Sequence, residues 1–180
     1  MSPTTSTAIR VLGVDPGIAI TGYGVVHLEN DGLEPISYGV ITTPANLALP
    51  LRLQHLYREL MALIDTFHPA EASVEELFFA RNARTALSVG HARGVILLAL
   101  ADAGLPTYEY TPLQVKQAIT GYGRADKQQM QQMVRLLLRL EAIPQPDDAA
   151  DALAAAICHA HSVSAALRQS GNAPGYGSER

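Results

Sequence analysis

The sequence predicts an α/β layered domain built on a mixed sheet, and three observations carry that reading. Three strand-like runs fill the first 42 residues. A stretch with helical spacing of apolar residues follows over 49–67. Beyond it, short apolar runs alternate with helical ones as far as about residue 167. The chain's 180 residues suit a single domain, and a composition 48% hydrophobic and 17% charged can bury a true core.

Residues 10–15, Arg-Val-Leu-Gly-Val-Asp, read as a buried strand ending in an acid, and Pro16-Gly17 forces a turn. Residues 21–28 form a second strand with tolerated glycines. Asn30-Asp31-Gly32 is a hairpin signal, and residues 36–42 return antiparallel as a third strand. The helix over 49–67 is closed by Pro69. Residues 72–75 form a short strand. A helix capped by Asn82 or Thr85 then runs to Ala103 and is ended by Gly104. Another strand covers 106–110. Thr111-Pro112 reads as an N-cap followed by proline at the first helical position, opening a helix to about Thr120. Gly121-Tyr122-Gly123 breaks it, 125–140 is strongly helical, and after Pro144 and Pro146 a last helix spans about 147–167. Residues 1–8 and 168–180 are expected to be disordered tails, leaving one domain over 9–167.

The formal net charge of −4 hides an asymmetry. Between Arg81 and Arg139 there are eight basic and three acidic side chains, a local balance of +5. The remainder holds five basic and fourteen acidic ones, or −9. A basic middle beside carboxylate-bearing ends fits a polyanion that must also approach metal ions, although a solvated mixed surface accounts for the same counts. The one cysteine, Cys158, permits no disulfide within the chain and points to a reducing compartment. No stretch has the pattern of a signal peptide or the length of a membrane span, so a cytoplasmic protein with no membrane partner is expected.

Four acids stand out by position. Asp15 and Glu75 end strands, and ligand sites of open α/β sheets gather beyond the carboxyl ends of strands. Asp148 and Asp151, three apart, lie on one face of the last helix. Carboxylates brought together need a compensating charge, and Mg²⁺ or Mn²⁺ supplies it through oxygen ligands. Each acid also has a plainer explanation. Asp15 suits a turn before Pro-Gly, Glu75 is no better placed than Glu76, and Asp147 and Asp148 suit the positive end of a helix dipole. Asp151, among alanines, is the hardest to explain away. Phe78-Phe79 beside Arg81 and Arg84 would suit stacking on unpaired bases, or core packing. Lys116 and Lys127 read as solvated helix lysines on pattern alone, and Arg124 could reach a phosphate from the glycine-flanked turn. Leu87, His91, Val95 and Leu98 form one helical stripe, suited to a partner helix or to the core. The spacing of Cys158, His159 and His161 does not make a zinc site; His159 reads as a core group or one behind the acids.

Residues 11–17, Val-Leu-Gly-Val-Asp-Pro-Gly, precede Thr21-Gly22-Tyr23-Gly24 and Val74-Glu75. Further on come Asn82, Ala92-Arg93-Gly94, Gln114-Val115-Lys116 and 148–154, Asp-Ala-Ala-Asp-Ala-Leu-Ala. In this order and at these spacings the chain closely resembles the RuvC family of bacterial Holliday junction resolvases, over about residues 9–165. The resemblance implies a ribonuclease H-like fold, with helices on both faces of the sheet. It implies metal binding by Asp15, Glu75, Asp148 and Asp151, with two Mg²⁺ or Mn²⁺ ions per subunit. It places Lys116 and Lys127 near the active site and DNA backbone, and Phe78 against unstacked bases at the crossover. It further implies a homodimer that makes two symmetric nicks in a four-way junction and acts with the RuvA–RuvB branch-migration complex. Asp15-Pro16-Gly17 with Thr21-Gly22 also resembles the first phosphate loop of actin-like ATPases. Another ribonuclease H-like nuclease, or a module that binds junctions without cutting, is the remaining alternative.

Overall fold

The computed structural model describes residues 8–30, 32–76 and 83–171. The described residues form five strands and five helices. In chain order they are β1 (Ala8–Asp15), β2 (Ile20–Glu29), β3 (Gly32–Thr42), α1 (Leu49–Phe67), β4 (Glu71–Glu75), α2 (Ala83–Asp102), β5 (Thr107–Tyr110), α3 (Pro112–Thr120), α4 (Lys127–Leu137) and α5 (Asp147–Gly171). The expected α/β mixed sheet is present in the order β3-β2-β1-β4-β5. The β1–β2 and β2–β3 pairs are antiparallel, whereas β1–β4 and β4–β5 are parallel.

Differences from the sequence reading lie mostly at element ends. β3 begins at Gly32 rather than 36 because its pairing with β2 continues to the turn, where Glu29 opposes Gly32. Asn30 turns that corner at φ 47°, a left-handed conformation its short polar side chain tolerates. Val25 pairs with Ser37 and Val26 with Pro35, so Ile36 is the extra residue of a bulge. A proline, which donates no ladder hydrogen bond, is accommodated at such a bulge on an edge strand. α4 is shorter than the periodic stretch over 125–140. Asp126 caps its start with Gln129 in a capping box, and Arg139 ends it at φ 53°. The Leu140 amide donates to Arg135 O at 2.9 Å and the Arg139 amide to Leu136 O at 3.2 Å, closing a Schellman motif with arginine where glycine is usual. α3 starts as expected, with a Thr111–Gln114 capping box and Pro112 in its first turn. α5 runs to Gly171, four residues beyond the predicted end. The proposed caps of α2 at Asn82 and Thr85 rest on side chains outside the described set.

Strand alternation divides β1 between two cores. Leu12 and Val14 join Val25, Ala72 and Val74 against Leu56, Leu60 and Ile64 of α1 and Ile96 and Leu100 of α2. Val11 joins Val26 and Leu28 against α3, α4 and α5, where Ile119, Val134, Leu153 and Ile157 are buried. Helices therefore cover both faces. α5 is buried nearly all round from Ala152 to Ala160, and small residues on both sides of its contact with the sheet let it sit close. A Cβ added at Gly13 would lie 2.1 Å from Ala152 O, and one at Gly22 1.9 Å from Asp148 O. Only glycine admits the helix backbone at these two points.

Candidate active site

The tight seating of α5 decides where its acids go. Asp15 shares strand parity with Val11 and Gly13, so it faces α5. The parallel register sets Val14 beside Val74, which leaves Asp15 and Glu75 at neighbouring strand ends on the same face. On the other side of β1, Asp15 pairs with Gly22, the residue against which the Asp148 carbonyl is lodged. Asp151 follows one turn along the same helix face. Two strand ends and one helix start thus bring Asp15, Glu75, Asp148 and Asp151 together. Thr21 Oγ1 donates to Gly17 O at 2.6 Å. Arg52 Nε donates to Thr43 Oγ1 at 2.9 Å and its Nη2 to Ile18 O at 3.2 Å, bracing the turn that follows Asp15.

The electrostatics show the strain of this grouping. Burial, and then the charges of Asp151, Glu75 and Asp148, push the Asp15 carboxyl up to about 7, with Lys127 partly opposing. Burial and Asp151 also raise Glu75, against the pull of Lys116. Burial raises Asp151, against the pull of Lys127. Lys127 stands at the rim, its Nζ 2.9 Å from Asp147 Oδ2 and 3.5 Å from Asp151 Oδ2. A cleft of about 210 Å³ opens here, with Glu75, Lys116, Lys127 and Asp151 on its walls and Val115, Met130 and Ala154 among its apolar lining.

The donor set fits a hard divalent cation: all four groups are carboxylates, and three are held above their ordinary range by burial and mutual repulsion. Among the described residues, no three acidic, histidine or cysteine side chains converge as a ready-made cage. For these acids to hold an ion, their side chains would have to shift, and Lys127 Nζ lies 3.5 Å from one of them, Asp151.

The other predicted residues distribute unevenly. Lys116 and Lys127 reach the cleft. Arg124 is exposed in the turn before α4. Phe78 and Arg81 lie outside the described residues, as does the side chain of Arg84. Of the α2 stripe, Leu87 and Leu98 are 63% and 55% exposed and His91 is exposed, whereas Val95 packs into the core under α2. Sequence reasoning read Asp147 only as a helix-start acid and missed its contact with α4, where its Oδ1 accepts from Gln131 Nε2 at 2.8 Å. The available signal was the four-residue spacing of Lys127 and Gln131, which puts both on one face of α4. His159 is a core group, as one of its two readings held: its Nε2 lies 2.6 Å from Glu71 Oε2, its Nδ1 lies 2.8 Å from the Tyr110 hydroxyl, and its ring stacks on Tyr108.

A five-stranded mixed sheet of this order, covered on both faces and carrying acids at its central strand ends, defines the ribonuclease H-like class. Residues 11–159 match the family model described as crossover junction endodeoxyribonuclease RuvC, and the chain belongs to that family. It is similar to RuvC of Desulfitobacterium hafniense strain DSM 10664 / DCB-2, 60% identical over 89% of this chain and 98% of that one. It is also similar to RuvC of Roseiflexus sp. strain RS-1, 62% identical over 87% and 94%. The structure of Thermus thermophilus RuvC in complex with a Holliday junction substrate superposes with a TM-score of 0.83 at 36% identity, covering 88% of this chain and 96% of that one.

Proposed function

We propose that this chain resolves four-way DNA junctions by two symmetric nicks, with Asp15, Glu75, Asp148 and Asp151 holding two Mg²⁺ or Mn²⁺ ions per subunit. Membership of the family makes the chain a crossover junction endodeoxyribonuclease, a DNA-cleaving hydrolase acting in recombination and repair. The observation that supports the residue assignment is the placement of four acids from β1, β4 and α5 at one end of the sheet, near enough that burial and the other three acids raise Asp15 to about 7. Bound divalent ions supply an activated water and charge neutralisation at the scissile phosphate.

The chain's own groups do the positioning. Lys116, close enough to Glu75 to lower its affinity for protons, offsets charge that develops as the phosphodiester is attacked. Lys127 and Arg124 hold the DNA backbone on the cleft side. Phe78, flanked by Arg81 and Arg84, supports unstacked bases at the crossover. Symmetric nicking calls for a two-fold dimer, and Leu87 and Leu98 on α2 offer it an exposed apolar stripe. RuvA–RuvB is the expected branch-migration partner, and the cytoplasm the expected compartment. Among the described residues no helix is long and apolar enough to cross a membrane.

The test is cleavage of a mobile four-way junction beside a linear duplex and an RNA–DNA hybrid, with Mg²⁺, Mn²⁺ or chelator. Paired nicks in the junction alone, lost with chelator and lost in Asp151→Asn with junction binding kept, are the expected result. Full cleavage by a folded Asp151→Asn protein would overturn the metal assignment. Cutting of the hybrid or duplex instead would overturn the junction selectivity.

A further inference from the structure

We propose that Asp147 is a positioning residue for Lys127, forming with Gln131 a berth that keeps the ammonium beside the four-carboxylate cluster rather than inside it. The inference rests on the reading of those four acids as metal ligands.

Lys127 and Gln131 are one turn apart on α4 and grip the two oxygens of one carboxylate. Lys127 Nζ lies 2.9 Å from Asp147 Oδ2, and Gln131 Nε2 donates to Asp147 Oδ1 at 2.8 Å. The Gln131 contact fixes the plane of the Asp147 carboxylate, so the second oxygen has a set direction for the lysine. The contact with Asp151 is longer, at 3.5 Å. An exposed lysine on a four-carbon stem otherwise samples many rotamers, and a single surface ion pair holds it weakly. Two carboxylates and a hydrogen-bonded amide do more. The hydrogen bond with Asp147 is also the largest influence raising Lys127, and Lys127 is the largest influence lowering Asp147.

The two acids have different fates when the cluster is loaded. Asp151 then shares its charge with the bound cation, and its hold on Lys127 falls. Asp147 is no member of the cluster, so its hold persists. Lys127 therefore remains at the rim of the cleft, where a backbone phosphate enters, without a search through rotamers. Lacking Asp147, the ammonium has only Asp151 to pair with and competes for that carboxylate with the metal.

The experiment is a double-mutant cycle on the full chain: wild type, Asp147→Asn, Lys127→Met and the double variant. Each is read by Mn²⁺ binding without DNA, followed by electron paramagnetic resonance, and by single-turnover junction cleavage. Asp147→Asn alone is expected to weaken Mn²⁺ binding about fivefold and to slow cleavage at saturating junction about tenfold, with junction affinity held within about twofold. In the Lys127→Met background the same substitution is expected to change either readout by less than about twofold. The Mn²⁺ arm closes the cycle even where Lys127→Met cleaves too slowly to time. Equal effects of Asp147→Asn in both backgrounds would overturn the inference, because Asp147 would then act through its charge or the start of α5. Absence of any effect in the wild-type background would overturn it as well. Failure of the wild type to bind Mn²⁺ would overturn the metal reading of the four acids, and the inference with it.

Discussion

Asp15 gathers the conflict of the site into one carboxyl. In the folded protein it keeps its proton up to about pH 7, whereas its ordinary value is 3.8. Between those limits the native state binds more protons than the unfolded chain, so stability falls as pH rises from about 4 to about 7 and levels off above. Glu75 and Asp151 are shifted in the same direction. Metal-free protein is therefore expected to unfold at lower urea concentration at pH 8 than at pH 5, and saturating Mg²⁺ should remove the difference. Asp15→Asn should abolish cleavage yet stabilise the metal-free protein at pH 8 by about 1–3 kcal/mol, since it deletes a buried, repelled charge and keeps the shape. Urea melts in chelator check the sign, and an unchanged or lowered midpoint would contradict it. The same proton competition makes apparent Mn²⁺ affinity climb with pH until about 7 and flatten beyond, which calorimetric titrations across pH 5–8.5 would read. At this scale the sequence marked which acids to examine and was silent about their pairing. Asp15 and Asp151 announce themselves, one at a strand end before Pro-Gly and one among alanines. That Lys127 meets Asp147, or that Glu71 meets His159 from 88 residues away, depends on how helices dock, which no local pattern encodes.

Among the elements, α5 and the two glycines beneath it carry the geometry. Gly22→Ala places a methyl where the Asp148 carbonyl now sits, 1.9 Å from the new carbon, so the helix start must lift. We expect a stability loss of about 1–3 kcal/mol. Cleavage should fall by more than about a hundredfold, because a shift near an ångström in a ligand-bearing turn costs more in rate than in folding. Comparing urea midpoints with single-turnover rates separates the two, and proportionate losses would refute the account. Strand and helix identities were legible because apolar period and turn chemistry agree here. Val-Leu-Gly-Val-Asp-Pro-Gly reads as strand then turn, and Thr111-Pro112 as cap then helix. The glycines of β2 looked merely tolerated, and Gly13 of β1 drew no reading, since the reason for Gly13 and Gly22 is a helix more than a hundred residues later. Val95 shows the limit of periodicity. Eight residues along a helix rotate about 80° beyond two full turns, which carries Val95 off the Leu87 stripe and into the core.

For the whole molecule, the sheet order and the exposed face of α2 set the remaining expectation. Leu87→Glu with Leu98→Glu puts charge on that stripe while leaving the cores untouched. If α2 is the dimer face, the variant should sediment as a monomer and leave singly nicked junctions in place of paired cuts. A dimer of undiminished stability would send the search to another face. The mixed sheet was foreseeable because a meander precedes the alternation of helix and strand. Of the residues expected to meet DNA, Lys116 and Lys127 line the cleft and Arg124 is exposed, whereas Phe78 and Arg81 lie outside the described residues.

The order in which the acids appear along the chain has a consequence during synthesis. Asp15 and Glu75 emerge from the ribosome early, but the cluster gains its other half only when α5 follows and seats over Gly13 and Gly22. A growing chain that stops before Asp147 carries two of the four carboxylates and lacks the α5 part of the cover on that sheet face, so on the proposed assignment it could not yet assemble the cutting centre. On the proposed assignment, a nuclease arranged in this way is held harmless to the DNA around it until α5 has been made and seated.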